Sequence, residues 1–293
     1  MTAGYNPDRF CSFTTELFDL SGLDKTCSAV PNFPIVDKSG VSSLLTEEGN
    51  PLVCGGYPGY TDCHIFEPDT YQWIEGPNLL YQRDWSTSVE LPGNRHWIAN
   101  SYFFSSGHGN SEIYQDGEFV QGPDLPNEDL YDYPCAVKIS DGEIFYANGR
   151  SYIMDTATME FTETSNQLIF ISYESNCGLA TKSNGERMIV IAGGRTTGFE
   201  SAVQIYDIAA GTWRMSENPL PHPLMFGSTV PFGDTFLIVG GSVDVYETGL
   251  PPSDEVLQFN PNEETWTVRE ERLGCGRYGH FAAFVDYNRY GCG

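Results

Sequence analysis

The sequence predicts an all-β fold, a β-propeller of four-stranded antiparallel blades, and three observations support this. An apolar run that ends in a glycine pair, or in residues replacing it, recurs five times at intervals of 45 to 48 residues. Two further strand-like runs follow each of these, and another precedes all but the first. Four short strands per repeat is the number found in one blade of a β-propeller. The five glycine-ended runs are PLVCGG (51–56), HWIANS (96–101), IFYANG (144–149), IVIAGG (189–194) and FLIVGG (236–241).

The glycine-ended runs are short, continuous and rich in Val, Ile and aromatic residues, which is typical of a strand buried on both faces. We label the strands of a blade A to D from the channel outward, so that the glycine pair ends strand B and a tryptophan begins strand D. The predicted A strands are STSVELPG (86–93), CAVKISDG (135–142), CGLATKSNG (177–185) and GSTVPFGD (227–234). The predicted C strands are CHIFEPD (63–69), SEIYQDG (111–117), SYIMDTA (151–157), VQIYDIA (203–209) and VLQFNPN (256–262).

The two ends of the chain predict a sixth blade. GHFAAFVDYNRYGCG (279–293) aligns without a gap under GSTVPFGDTFLIVGG (227–241), as strands A and B. TELFDLSGLDKTCSAVP (15–31) aligns with VQIYDIAAGTWRMSENP (203–219), as strands C and D. We therefore expect one domain over residues 1–293, a six-bladed propeller whose last blade is closed by N- and C-terminal strands. Closure of the ring removes an open sheet edge that would otherwise invite aggregation.

The charge balance excludes several classes of partner. The formal net charge is −25 and the sequence pI is near 4.3. Nucleic acids and anionic membrane surfaces need Lys and Arg, so we expect neither as a partner. The acidity indicates solubility, with an acidic binding patch as the alternative. No run of 18 apolar residues predicts a membrane span, and the start MTAGYNPDRF has no apolar core of a signal peptide.

The eight cysteines are even in number, and they show neither a Cys-x-x-Cys pair nor zinc-ligand spacing. Disulfides, and hence a secreted protein, are the favoured interpretation. Cys54 ends strand B and Cys63 begins strand C of the first blade, within disulfide reach. Cys11 and Cys292 stand at nearly the same two places in the sixth blade, where their bond would join the ends of the chain.

The remaining four cysteines leave alternatives open. Cys135 and Cys177 occupy matching positions in the inner strands of adjacent blades, as two buried thiols or as a bridge between blades. Cys27 and Cys275 are left over, and a bond between them is a guess.

The repeat resembles the Kelch repeat, which combines a double glycine after an apolar strand, a Tyr-Asp or Phe-Glu pair in the next strand, and a Trp shortly after. The best copies are IVIAGG…VQIYDIAAGTW and FLIVGG…VLQFNPNEETW. The second and third copies depart from the pattern, with Asn100-Ser101 and Asn148-Gly149 for the glycines and no Trp. The VCGG…C and KTCS segments resemble cysteine-containing extracellular Kelch proteins of invertebrates.

Propellers bind ligands at the mouths of the central channel, so the loops between strands hold the candidate residues. In Kelch proteins an Arg in the loop that enters strand A often contacts a ligand, and the resemblance carries this role to Arg83 and Arg277 here. The alternative is that these side chains pack the channel wall and satisfy loop carbonyls. The candidates in the entry loops are Arg83, Trp85, Tyr131, Tyr133, Tyr173, His222, Arg277 and Tyr278.

The loops that follow strand B supply a second set of candidates. Aromatic residues and Arg are favoured at binding hot spots, and Arg pairs with carboxylates in a bidentate manner. The candidates in these loops are Tyr57, Tyr60, His108, Arg150, Arg195 and Tyr246.

No catalytic residues, cofactor or metal site are predicted. No nucleophile elbow, phosphate loop or His-Glu-x-x-His motif occurs, and the five His do not match the ligand set of copper-radical Kelch oxidases. We expect a monomeric, secreted binding module for a protein or a carbohydrate. The alternatives are a Kelch-type enzyme or metal-site propeller that acts on a sugar, and a structural matrix component.

Overall fold

A computed structural model describes residues 13–17, 30–101, 106, 109–126, 134–169, 173–195, 201–243, 252–286 and 289–290. Within these ranges, consecutive strands form five separate four-stranded antiparallel sheets. The first strands of successive sheets pack against one another in chain order, so that the sheets are arranged as blades around a common axis. The β-propeller prediction is therefore confirmed. No helix long and apolar enough to cross a membrane lies in the described part of the chain.

The strands have the following bounds. Blade 1 holds β1 (Ser42–Leu45), β2 (Pro51–Cys54), β3 (Cys63–Glu67) and β4 (Gln72–Glu75). Blade 2 holds β5 (Thr87–Leu91), β6 (Arg95–Ala99), β7 (Ser111–Gln115) and β8 (Glu118–Gln121). Blade 3 holds β9 (Cys135–Ser140), β10 (Glu143–Asn148), β11 (Arg150–Asp155) and β12 (Phe161–Glu163). Blade 4 holds β13 (Asn176–Thr181), β14 (Arg187–Ala192), β15 (Val203–Asp207) and β16 (Thr212–Met215). Blade 5 holds β17 (Ser228–Phe232), β18 (Thr235–Val239), β19 (Glu255–Asn260) and β20 (Thr265–Arg272).

The burial of the strands explains their composition. All residues of β18 are buried, as are nearly all of β14, because strand B lies between two neighbours within the blade and between adjacent blades. In blades 1, 4 and 5 the predicted Trp of strand D pairs with an aromatic residue of strand C. Phe119 takes the place of the Trp in blade 2, where its ring centroid lies 5.2 Å from that of Tyr114. An aromatic pair therefore holds the outer strand even where the Trp is missing.

The double glycines are joints between blades. In the three blades with a full pair, the first glycine has a positive φ, and a Cβ there would collide with a carbonyl oxygen of the next entry loop. The second glycine donates its N–H to that same carbonyl. These bonds join Gly56 to Arg83 at 2.7 Å, Gly194 to Leu224 at 2.8 Å, and Gly241 to Arg277 at 2.9 Å. The glycine pair is thus required by the close approach of two backbones.

The prediction of six blades needs correction, because five four-stranded blades are present among the described residues. The expected last strand, YNRYGCG (287–293), is not formed at Arg289 and Tyr290, the two of its residues that the structure describes. The Arg289 N–H donates to the Asp286 carbonyl at 3.0 Å, a bond between residues three positions apart that an extended strand does not make. Tyr290 is buried and its ring stacks on Phe66 of blade 1, with centroids 5.7 Å apart. Most of the N-terminal strands expected at 15–31 lies outside the described residues.

The two ends of the chain nevertheless meet between blades 5 and 1. The Arg277 guanidinium donates to the carbonyl and the hydroxyl of Thr14, both at 2.7 Å, and pairs with Glu16. The Gly274 N–H donates to the Glu16 carboxylate at 2.6 Å. These contacts connect the two ends of the chain across the gap between blades 5 and 1. They do not establish a complete terminal blade.

Two of the expected disulfide positions can be compared with the structure. Cys54 and Cys63 are bonded, with Cα atoms 4.1 Å apart, as predicted. Cys135 and Cys177 are bonded across blades 3 and 4, with Cα atoms 6.1 Å apart, so the bridge is the correct alternative. Cys275 is also disulfide-bonded. The expected Cys11–Cys292 pair and Cys27 lie outside the described residues.

Removing the two bridges is expected to have unequal effects. By the loop-entropy model, the 42-residue Cys135–Cys177 span contributes about 4 kcal/mol and the 9-residue Cys54–Cys63 span about 3 kcal/mol. Paired Cys→Ser variants should therefore lower the urea midpoint more at 135/177 than at 54/63. Equilibrium unfolding without reductant measures this, and the reverse order would contradict the account of the inter-blade bridge.

Candidate functional site

Backbone hydrogen bonds form an arc at one mouth of the channel, from Trp85 to Glu174. It is formed by Gly40, Trp85, Glu174, Phe226 and Gly279, which all have φ between 57° and 70°. We call these five residues the entry ring. The Trp85 N–H donates to Gly40 O at 2.9 Å, and the Phe226 N–H donates to Glu174 O at 3.0 Å. The Gly279 N–H donates to Phe226 O at 3.0 Å, and the Gly40 N–H donates to Gly279 O at 2.8 Å.

The left-handed backbone at the entry ring is a property of the repeat. Gly40, Trp85, Glu174 and Phe226 each stand two residues before the first residue of an inner strand. A left-handed φ costs a non-glycine residue about 1–2 kcal/mol, so three bulky residues there are supported by the bonds around them. Gly279 is both donor and acceptor between blades 5 and 1. The C-terminal segment therefore occupies the sixth sector of this ring.

Three aromatic side chains pack together at the mouth inside the entry ring. The Trp85 and Phe226 rings come from the entry loops of blades 2 and 5, and their centroids lie 4.3 Å apart. Tyr278 stacks on Phe226 at 5.7 Å and on Trp85 at 6.2 Å. Phe226 and Tyr278 are buried, so this cluster holds the entry loops of the two blades and the C-terminal segment together.

Trp85 and Phe226 also line a cavity of about 210 Å³. Its wall is rich in hydroxyl groups from the inner strands, several of which bond to a neighbouring strand. The Ser88 hydroxyl donates to Ser43 O at 2.8 Å, and the Ser42 and Ser86 hydroxyls lie 2.5 Å apart. These hydroxyls therefore fasten adjacent blades at the axis.

The two arginines matching the Kelch position are buried, each with a side-chain exposure of 0%. Arg83 pairs with Glu112 and donates to Asn100 O at 2.7 Å, within blade 2. Arg277 bonds to Thr14 and Glu16, as described above. Glu112 and Glu16 share one repeat position in the sequence alignment, so the two ion pairs are equivalent. Both arginines fit the alternative interpretation, in which they pack the wall and satisfy loop carbonyls.

Other candidates are spread around the same face. Tyr173 and Arg195 exchange backbone hydrogen bonds of 3.0 and 2.8 Å, which places the Arg195 side chain beside Glu174 at 3.8 Å. His222 Nε2 lies 2.6 Å from the Glu255 carboxylate, and Nδ1 lies 3.1 Å from the Pro223 carbonyl.

The remaining candidates are either paired at the surface or outside the described residues. Arg150 is exposed and pairs with Glu163 at 3.1 Å, at the start of β11. The candidates Tyr131, Tyr133, His108 and Tyr246 lie outside the described residues.

Sequence reasoning missed a buried pair of ionisable groups beside blade 1. Lys38 is fully buried and donates to the carbonyls of Pro58 and Gly59 at 2.8 and 3.0 Å. Burial lowers the pKa of Lys38 to about 8 and raises the pKa of Asp84 to about 7. Neither residue belongs to a motif. Phe226 and Glu174, also missed, share the repeat position of Trp85, and alignment of the entry loops would have found them.

His280 is a buried histidine in the sixth sector, and neither ring nitrogen has a hydrogen-bond partner in the described part of the chain. Burial, with the charge of Arg277 as a further cause, holds the pKa of His280 well below its ordinary value. No group of three or more His, Cys, Asp or Glu that could hold a metal ion occurs among the described residues. His280 is therefore uncharged at pH 7, and it lies where the C-terminal segment joins blades 5 and 1.

Acidification is expected to destabilise the fold through His280. Because its folded pKa is below the unfolded value of about 6.5, the unfolded chain binds more protons at lower pH. The contribution of His280 to the free energy of unfolding should then fall by about 1.4 kcal/mol per pH unit below that value, until the folded pKa is reached. Urea unfolding between pH 7 and pH 5 measures the slope, and His280→Leu should reduce it. An equal slope in the variant would contradict the assignment to His280.

Comparisons with known proteins show the fold and no more. No family model and no curated protein sequence matches the chain. Solved structures do match, 412 chains in all, so the architecture is widespread. One of them is the structure of YjhT, with a TM-score of 0.69 and 13% identity over 86% of this chain and 90% of that one. At 13% identity this similarity shows a shared β-propeller fold and not a shared activity.

Proposed function

We propose that the chain is a secreted, non-catalytic binding module of the Kelch type, a monomer whose ligand is a protein or a glycan. The ligand contacts the face formed by the entry loops and the loops after strand B. Segments from both ends of the chain bridge the gap between blades 5 and 1. The disulfides support an oxidising compartment.

One observation carries this proposal. The described loops with candidate residues open on the face that contains the entry ring, where backbone bonds join several of them to one another. At this face the Trp85 and Phe226 rings pack together, while Tyr57 and Arg195 remain 58% and 46% exposed. Exposed Tyr and Arg are residue types enriched at binding hot spots, so this face has the composition of a binding surface.

The test is a charge reversal at this face. The wild-type protein is applied to arrays of glycans and of extracellular proteins, and binding of each hit is then measured with Arg195→Glu and Arg214→Glu. The two arginines have similar exposure, 46% and 43%, but Arg214 lies on the outer strand β16. We expect Arg195→Glu to weaken binding and Arg214→Glu to leave it unchanged. The opposite pattern, or no hit on either array, would refute the proposed face.

A further inference from the structure

The cavity lined by Trp85 and Phe226 is distinct from the exposed residues of the proposed binding face. The entry loops and the first residues of the inner strands form its wall. Its volume is about 210 Å³. A water molecule takes up about 30 Å³ in the liquid, so the cavity has room for a ligand of about seven non-hydrogen atoms.

The wall of this cavity carries negative charge. Among the described residues that line it, Glu174 is the only one with a charged side chain at pH 7, because His280 is neutral and neither Lys nor Arg is present. The Glu174 side chain is 3% exposed, so it acts on the cavity through its charge rather than by direct contact. A carboxylate in a poorly solvated wall attracts cations and repels anions.

The arginines near this mouth cancel little of that charge. Arg83 and Arg277 do not line the cavity, and each is held in a buried ion pair with a carboxylate outside the wall. The Arg195 guanidinium lies 3.8 Å from the Glu174 carboxylate, but it is 46% exposed and also lies outside the wall. Because solvent screens such a pair, Arg195 compensates the carboxylate only in part.

Further along the channel, an ammonium group is already held by carboxylates. Lys138 lies on the same face of β9 as Ala136, which lines the cavity. The Lys138 Nζ lies 2.9 Å from the Glu90 carboxylate and 3.0 Å from that of Asp141. Two carboxylates with one cation leave this part of the channel negative as well, which disfavours an anionic ligand.

The other groups of the wall suit a cation with an organic body. The rings of Trp85 and Phe226 attract cations through their π faces. The side chains of Thr87 and Thr229 are partly exposed, and their hydroxyl oxygens can accept hydrogen bonds. We propose that the cavity binds a small organic ammonium ion, with the rings and hydroxyls as its contacts and Glu174 as the compensating charge. This site does not depend on a protein or glycan ligand at the proposed face.

Ligand-observed NMR on the full chain, at an ionic strength of about 10 mM, tests the inference. The probes are choline, ethanolamine and neohexyl alcohol, which has the shape of choline without its charge. We expect at least one of the two ammonium ions to bind with a Kd of about 1 mM, and the alcohol to bind at least about tenfold more weakly. Failure of both ammonium ions to bind, or equal binding of the alcohol, would overturn the inference.

Two substitutions with opposite expected effects locate the site. Glu174→Gln should weaken binding of the ammonium ion about tenfold, whereas Arg195→Gln removes the competing cation and should strengthen it about threefold. Arg195 is half exposed, so its variant remains informative even if Glu174→Gln does not fold.

Glu264→Gln is the matched control. Glu264 also has a positive φ, a low side-chain exposure of 16% and an arginine partner, but it lies in the outer hairpin between β19 and β20. It should leave binding unchanged. Undiminished binding by a folded Glu174→Gln variant, or weaker binding by Arg195→Gln, would contradict the assignment to this cavity.

Discussion

Replacing Arg83 with methionine is expected to destabilise the protein by about 3–5 kcal/mol, because the change leaves the carboxylate of Glu112 buried without its cation. Both side chains have an exposure of 0%, and burial already lowers the pKa of Arg83. The carbonyl of Asn100 would lose a donor as well. Urea unfolding followed by tryptophan fluorescence measures the effect.

Arg150→Met is the matched control, because it removes the same kind of residue from an exposed ion pair with Glu163. An exposed pair contributes about 0–1 kcal/mol, so the control should remain near the wild type. The double variant Arg83→Met with Glu112→Leu should recover much of the loss, since no buried charge remains. Equal effects of Arg83→Met and Arg150→Met would show that Arg83 is accessible to solvent, as ligand contact would require.

The second large effect is expected at Gly193, the first glycine of the joint between blades 4 and 5. Alanine there would hold its Cβ well inside 3.0 Å of the Leu224 carbonyl oxygen, while also adopting a φ of 70°. The backbone strain alone costs about 1–2 kcal/mol, and the collision forces the two blades apart. We expect a total loss of about 3–5 kcal/mol, in the range of overpacking combined with strain.

Gly117→Ala separates the two causes, because Gly117 has a φ of 77° but nothing within 4 Å of the place that a Cβ would occupy. That variant should lose only the backbone contribution, about 1–2 kcal/mol. Melting temperatures of both variants provide the comparison. If Gly193→Ala lowers the melting temperature no more than Gly117→Ala does, the glycine pair serves only to allow a positive φ and does not join the two blades.

The blade repeat could be predicted from the sequence because it depends on local patterns. Alternating or continuous apolar runs specify strands, and the glycine pair marks where strand B must approach another backbone. The pattern survives substitution, as at Phe119, which replaces the expected Trp with another large ring. The prediction of a sixth blade failed because a gapless alignment does not detect a local bond such as that between the Arg289 N–H and the Asp286 carbonyl.

The candidate site was harder to predict because residue type does not reveal burial. The sequence predicts that Arg83 contacts a ligand at the surface. Its side chain is instead buried in an ion pair with Glu112, which stands 29 positions away. The left-handed backbone of Trp85 and Phe226 contradicts the preference of bulky residues, so no propensity indicates it. Lys38 and Asp84 come together only because blades 1 and 2 are adjacent.

The bond between Arg277 and Thr14 spans 263 positions, whereas the strands of a blade are neighbours in the sequence. During synthesis on the ribosome, blades 1 to 5 can pair their strands as they emerge. The flank of blade 1 that carries Phe66 lacks its C-terminal neighbours until residues 277–290 are made, and only N-terminal residues such as Phe33 can pack there earlier. A nascent chain therefore leaves part of this apolar flank uncovered for nearly the whole of translation, and that is where we expect a chaperone to bind.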